Sequence, residues 1–105
     1  MSDISNTSML LLSLQRALLG QVHPILRQAS IKADPTLRLV TLRFEYDGEP
    51  TEIARESCSC AATEVIADFP APWRLDEQHV ATSANKSLSP LIHIAYRRAE
   101  AQHAT

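Results

Sequence analysis

The stretch Asp34-Pro35-Thr36-Leu37-Arg38-Leu39-Val40-Thr41-Leu42-Arg43-Phe44-Glu45-Tyr46-Asp47-Gly48 decides the fold. Within it Val40, Leu42, Phe44 and Tyr46 alternate with Thr41, Arg43 and Glu45, the period of two that marks a strand with one apolar face. A strand is therefore predicted over 37–46. Asp34-Pro35-Thr36 in front of it has turn chemistry. Upstream, Ile25, Ala29 and Ile31 alternate with Gln28, Ser30 and Lys32, with Leu26 and Arg27 breaking the pattern. The two runs read as a hairpin whose first strand covers 25–33.

Beyond the hairpin, Asp47-Gly48 stops the strand and Pro50-Thr51 stands where a helix begins, the Thr51 hydroxyl being suited to accept from an orphan amide. The spacing predicts a helix over 51–68. Its buried stripe is Ala54, Cys58, Ala61, Ala62, Val65 and Ile66, continued by Phe69, with Glu52 and Glu56 one turn apart on the exposed side. Pro70 and Pro72 end it. Small residues along the buried stripe imply close approach to a sheet.

At the N-terminal side, Leu11, Leu14 and Leu18, widened by Leu10 and Ala17, predict a helix over 7–19 that Gly20 caps and His23-Pro24 forbids from continuing. At the other end, Trp73, Leu75 and Val80 suggest a strand over 73–80, and 85–90 has loop composition. The alternation of Ile92, Ile94 and Tyr96 with His93, Ala95 and Arg97 gives a last strand over 91–98. Residues 1–6 and 99–105 lack periodicity and are expected to fray. The order is α-β-β-α-β-β in one small domain spanning 1–105. The expected architecture is α+β, a two-layer sandwich with two helices on one face of a four-stranded, mainly antiparallel sheet. Its other face and its edges are left open to water or a partner.

Composition agrees with a folded unit. Leu, Ile, Val and Phe make up 26 of 105 residues, enough apolar surface for a core. The longest apolar run, Met9 to Leu12, is too short to cross a bilayer, and two closely spaced cysteines make no disulfide framework. With no secretory signal pattern at the start, a reducing cytoplasm is the expected compartment.

Charge is less even than the formal net of −2 suggests. Between Glu45 and Glu77 lie nine acidic residues and only Arg55 and Arg74 as bases, while the rest of the chain carries Asp3, Asp34 and Glu100 against eight Lys or Arg. Such a segment repels a phosphate backbone and attracts a basic protein. Charge runs are also often no more than solvated faces, so the cluster alone is not specific.

Motifs for chemistry are weak. Cys58 and Cys60, two apart on a helix, point about 200° away from each other, and no second Cys pair exists to complete a zinc site. Cys58 reads as core and Cys60 as partly exposed. An activated Cys-His pair needs an electropositive setting, and this helix is acidic. His23, His79, His93 and His103 have no ligand spacing, Glu52 and Glu56 are not placed in a cleft, and Gly20 and Gly48 are too far apart to cradle phosphate. Arg97-Arg98 with Arg74 reads as edge-strand protection against pairing, and Trp73 as a core or rim aromatic. No catalytic residue, metal or cofactor is predicted, and the chain is not expected to be an enzyme.

The segment Asp47-Gly48-Glu49-Pro50-Thr51-Glu52, followed by Ala61-Ala62-Thr63-Glu64-Val65-Ile66-Ala67-Asp68-Phe69-Pro70, resembles a family of small bacterial proteins. That family includes the immunity proteins of contact-dependent growth inhibition systems. The likeness spans about a quarter of the chain. It departs at Arg55-Glu56-Ser57-Cys58-Ser59-Cys60, which is less acidic than the family pattern, and in the weakly patterned strand over 73–80. The resemblance implies a small α+β domain that binds and neutralises the C-terminal toxin of a cognate secreted protein, commonly a nuclease.

The acidic segment fits that role, since a nuclease needs a basic substrate groove that carboxylates complement. The candidate partner-binding residues are Glu45, Asp47, Glu49, Glu52, Glu56, Asp76 and Glu77. The expected partner is a basic toxin domain blocked by occlusion, with no direct nucleic-acid or membrane partner. The alternative is a homodimer or larger homo-oligomeric structural or adaptor module built through a sheet edge or the bare sheet face.

Overall fold

The structure, a computed structural model, describes residues 6–100. Its elements follow one another as α1 (Thr7–Ala17), β1 (Leu26–Asp34), β2 (Leu39–Tyr46), α2 (Glu52–Ala67), β3 (Arg74–Ala81) and β4 (His93–Arg97). The expectation of frayed ends over 1–6 and 99–105 falls, apart from Asn6, Ala99 and Glu100, outside the described residues. Asn6 caps α1 by accepting from the Met9 amide at 2.9 Å, and Glu100 is tied to Arg27.

The hairpin is as the alternation predicts. β1 and β2 pair antiparallel from Leu26 opposite Tyr46 to Asp34 opposite Leu39, and the Asp34 carboxylate closes the turn by accepting from the amides of Thr36 and Leu37. Arg38 completes the turn with a φ of 51°, left-handed geometry that an L-residue rarely adopts. Opposite Tyr46, β1 carries one residue too many, so a bulge falls at Arg27, the residue that interrupts the sequence alternation.

The four-stranded sheet runs β3-β2-β1-β4. β4 pairs antiparallel with β1, but β3 pairs parallel with β2, so the sheet is mixed and not mainly antiparallel. The cause is α2. A 16-residue helix rises roughly 24 Å, about the length of β2, and returns the chain to the level at which β2 began. The next strand must then run in the same direction as β2. A weak alternation over 73–80 carries no information about direction.

Both helices pack on the sheet face made by Ala29, Ile31, Val40, Leu42, Phe44 and Tyr46. α1 contributes Leu10, Leu14 and Ala17, while α2 contributes the small stripe Ala54, Cys58, Ala61, Ala62 and Val65. Phe69 stacks at a tilt on Trp73 with ring centres 5.0 Å apart, closing the far end of the core. In β4 a bulge between Ile94 and Tyr96 breaks the expected alternation: Tyr96 stays on the core side, where Ala95 also packs, while Ile92 and Ile94 are exposed.

The second sheet face is not bare. To travel from β3 at one edge to β4 at the other, the chain crosses that face over residues 82–92. There the Leu91 amide donates to Ser30 Oγ, the Ser89 amide to Glu45, and the Arg43 guanidinium to the Ser89 carbonyl. Gln28, Ser30 and Glu45 are consequently fully buried, although their alternation with apolar residues reads as a solvated face.

Candidate partner-binding surface

The seven candidate carboxylates separate into three environments. Glu45 is 0% exposed; it accepts from Gln28 Nε2 at 2.8 Å and from the Ser89 amide at 2.6 Å. Its expected place on an acidic surface is therefore corrected: β2 is an inner strand and the crossing segment covers this residue. Asp47 is half-buried and engaged, with Arg98 Nη2 at 3.1 Å and the Ala84 amide at 2.9 Å. The hydrogen bond from Arg98, helped by the Ala84 amide, holds its carboxyl below the usual carboxylate range. Glu45 is closed to a partner, and Asp47 already has Arg98 as its counter-charge.

Asp76 and Glu77 lie on β3 and point to opposite faces. Asp76 accepts from Gln78 Nε2 at 3.0 Å on the side away from the helices. Glu77 faces α2, where it accepts from the Ser59 hydroxyl and meets His79 Nε2 at 2.5 Å. The other imidazole nitrogen, Nδ1, is 2.7 Å from the Tyr46 hydroxyl. A carboxylate only accepts, so Nε2 carries the proton, and in the neutral ring Nδ1 accepts from Tyr46. His79 also stacks on Phe44 and Tyr46, with ring centres 5.4 Å and 5.8 Å away. This row of polar groups at the helix–sheet seam had no sequence signature, because β3's parallel register alone brings His79 beside Phe44.

Burial raises the Tyr46 hydroxyl pKa and pushes the Cys58 thiol up to about 11. Both groups are held protonated, the opposite of nucleophile activation. Among the described residues no three His, Cys, Asp or Glu side chains gather as metal ligands, and no helix is long and apolar enough to cross a membrane.

Glu49, Glu52 and Glu56 form the third group, and all three are exposed. Thr51 Oγ1 accepts from the Ala54 amide at 3.1 Å, so α2 starts at Glu52, where the helix dipole favours a carboxylate. None of the described ion pairs engages these three residues. Beside them Ile53 is 66% exposed, the large apolar side chain that the sequence reading missed. Its signal was present: Ile53 falls one position outside the Ala54-Cys58-Ala61-Val65 stripe and so points to water.

Arg97 and Arg98 are not simply edge protection. Arg97 donates to Gln28 Oε1, and Arg98 joins Asp47, Glu100 and the Pro24 carbonyl. Both serve as ties that fasten the last strand and the segment after it.

The sequence model of a protein family described as MafI2 immunity protein matches residues 7–100, and the chain belongs to that family. The match includes every described element and both parts of the segment that resembles immunity proteins; contact-dependent growth inhibition is not part of the family's description. A comparison with curated proteins finds no match.

Proposed function

We propose that this chain binds a cognate bacterial toxin domain and neutralises it by occlusion, using the exposed start of α2 as its contact surface. Glu49, Glu52 and Glu56 supply the charge and Ile53 the apolar anchor. The observation that carries the reading is the environment of these carboxylates in a chain of immunity-protein family: three exposed acids that, among the described residues, no basic side chain pairs with, and an exposed isoleucine beside them. Carboxylates of this kind speed the encounter with a basic surface, and a desolvated apolar side chain at the centre slows release. The partner that fits is a basic nuclease domain acting in the cytoplasm, with the chain covering its substrate groove and performing no chemistry of its own.

The test is growth of cells expressing the C-terminal domain of the toxin encoded beside this chain, with and without the chain. Rescue by the native sequence and its loss in the Glu52→Lys, Glu56→Lys double variant is the expected result. A toxin that kills equally in the presence of the native chain would overturn the reading, and rescue undiminished by the double variant would move the contact surface elsewhere.

A further inference from the structure

The longest open edge of the sheet is β3. It has β2 on one side and, among the described residues, no strand on the other. Two hydrogen bonds at its ends determine which of its backbone groups are used: Arg74 N–H donates to the Arg38 carbonyl and Thr82 N–H to the Tyr46 carbonyl, at 2.9 Å and 2.7 Å. Along a strand the N–H and C=O of each residue point to one side and alternate with those of its neighbours. Since Arg74 and Thr82 face β2, so do Asp76, Gln78 and Val80. The N–H and C=O of Leu75, Glu77, His79 and Ala81 therefore face outward, and none of the described hydrogen bonds outside the ladder reaches them.

The side chains beside this row select what can pair with it. Glu77 lies on the α2 side and Asp76 on the other, so an added strand meets a carboxylate on either face. On α2, Ser59 touches Glu77, and Glu56 and Glu52 lie three and seven positions before Ser59, on the same side of the helix. The exposed acids of α2 thus border the open edge and outnumber the bases beside it, Arg55 on the same side of α2 and Arg74 on β3 itself. A second copy pairing through its own β3 would bring Asp76 and Glu77 onto a ladder already carrying the same charges. Lys or Arg side chains on an extended segment would instead be met by carboxylates from both sides.

We infer that the toxin lays an extended, Lys- or Arg-bearing segment along β3 as a fifth strand. This rests on the toxin-binding reading above and names the backbone rail by which it is realised: main-chain hydrogen bonds at Leu75, Glu77, His79 and Ala81 supply affinity, and Asp76, Glu77, Glu52 and Glu56 supply the preference for a basic segment.

Amide hydrogen exchange on the nitrogen-15-labelled chain, alone and with the C-terminal domain of the toxin encoded beside it, tests this. The amides of Leu75, Glu77, His79 and Ala81 exchange fast in the free chain and slow by roughly a hundredfold in the complex. Those of Asp76, Gln78 and Val80 are slow in both. A complex that leaves the four outward amides unchanged and alters only the α2 surface overturns the fifth strand while leaving neutralisation intact. Failure to form any complex removes both. Slowing without the toxin that grows with chain concentration overturns the basic occupant in favour of a second copy. As an independent check, Ala81→Pro deletes one outward donor without touching the β2 ladder. It raises the dissociation constant about tenfold, the worth of one hydrogen bond, with the melting temperature unchanged. An unaltered dissociation constant counts against the rail.

Discussion

Arg27 and Glu100 meet through two parallel hydrogen bonds, Nε to Oε2 at 2.7 Å and Nη2 to Oε1 at 2.9 Å. The third guanidinium nitrogen, Nη1, donates to the carbonyls of Thr82, Ser83 and Lys86 at 2.8–3.0 Å. One bulged residue of β1 thereby fastens both the segment that crosses the sheet and the chain after β4. Arg27→Met keeps an unbranched apolar stem and removes every one of these bonds, leaving three carbonyls without this donor and the Glu100 carboxylate with Arg98 alone. A loss of about 2–4 kcal/mol is expected, read as a lower urea midpoint. A change within about 0.5 kcal/mol, the range of ordinary surface substitutions, would show that the crossing segment does not depend on Arg27.

The same pair sets an acid limit. The hydrogen bond from Arg27, with a second from Arg98, holds the Glu100 carboxyl down to about 2 from an ordinary 4.5, and Arg98 lowers Asp47 as well. A carboxyl whose folded pKa lies below its unfolded value stabilises the fold above the unfolded value and loses that contribution as pH falls toward the folded one. Stability should therefore decline between about pH 4.5 and pH 2. In Glu100→Gln the decline over this window is shallower, which thermal melts across the window will show. An unchanged slope would remove Glu100 as its source.

Arg38 occupies a left-handed conformation at φ 51° and is exposed. Arg38→Gly relieves that backbone cost and gives back part of it as added freedom in the unfolded chain, for a net gain of about 0.5–1 kcal/mol. Denaturant titration showing destabilisation instead would mean that the Arg38 side chain contributes more than its backbone costs.

Glu45 and Glu52 are both glutamates of the acidic segment and should respond oppositely to reversal. Glu45→Lys places a third donor, and a charged one, against the two donors Gln28 Nε2 and the Ser89 amide inside the fold and should unfold the chain or lower stability by about 3–5 kcal/mol. Glu52→Lys lowers stability by no more than about 1 kcal/mol, the worth of a charge at a helix N-terminus, while slowing association with the toxin domain at low salt. Circular dichroism melts and stopped-flow association at two salt concentrations check the pair. Equal destabilisation by both would contradict the exposure of Glu52.

Cys60 is exposed, while Cys58 is 1% exposed with its thiol pushed up to about 11. A maleimide should modify one thiol per native chain, at Cys60, and the second only on unfolding. Peptide mapping that finds Cys58 modified at the native rate would show that α2 opens readily from the sheet.

Several features of this protein are set by local pattern alone. The period of two from Val40 to Tyr46, the turn at Asp34-Pro35-Thr36, the cap at Thr51 and the apolar stripe of α2 are properties of neighbouring residues, and each reappears in the structure at nearly the predicted place. The DGEP turn and the residues around Phe69 likewise carry the family likeness without any folded context. Other features depend on residues far apart in the chain. The length of α2 relative to β2 decides that β3 runs parallel, and the resulting β3-β2-β1-β4 order forces residues 82–92 across the second face. That crossing buries Glu45 and gives Arg27 its partners, while the parallel register brings His79 to Tyr46 and turns the outward amides of β3 to the open edge. A carboxylate's place in sequence states only its charge; whether it meets water, a guanidinium or a buried amide is decided by which distant segment lies over it.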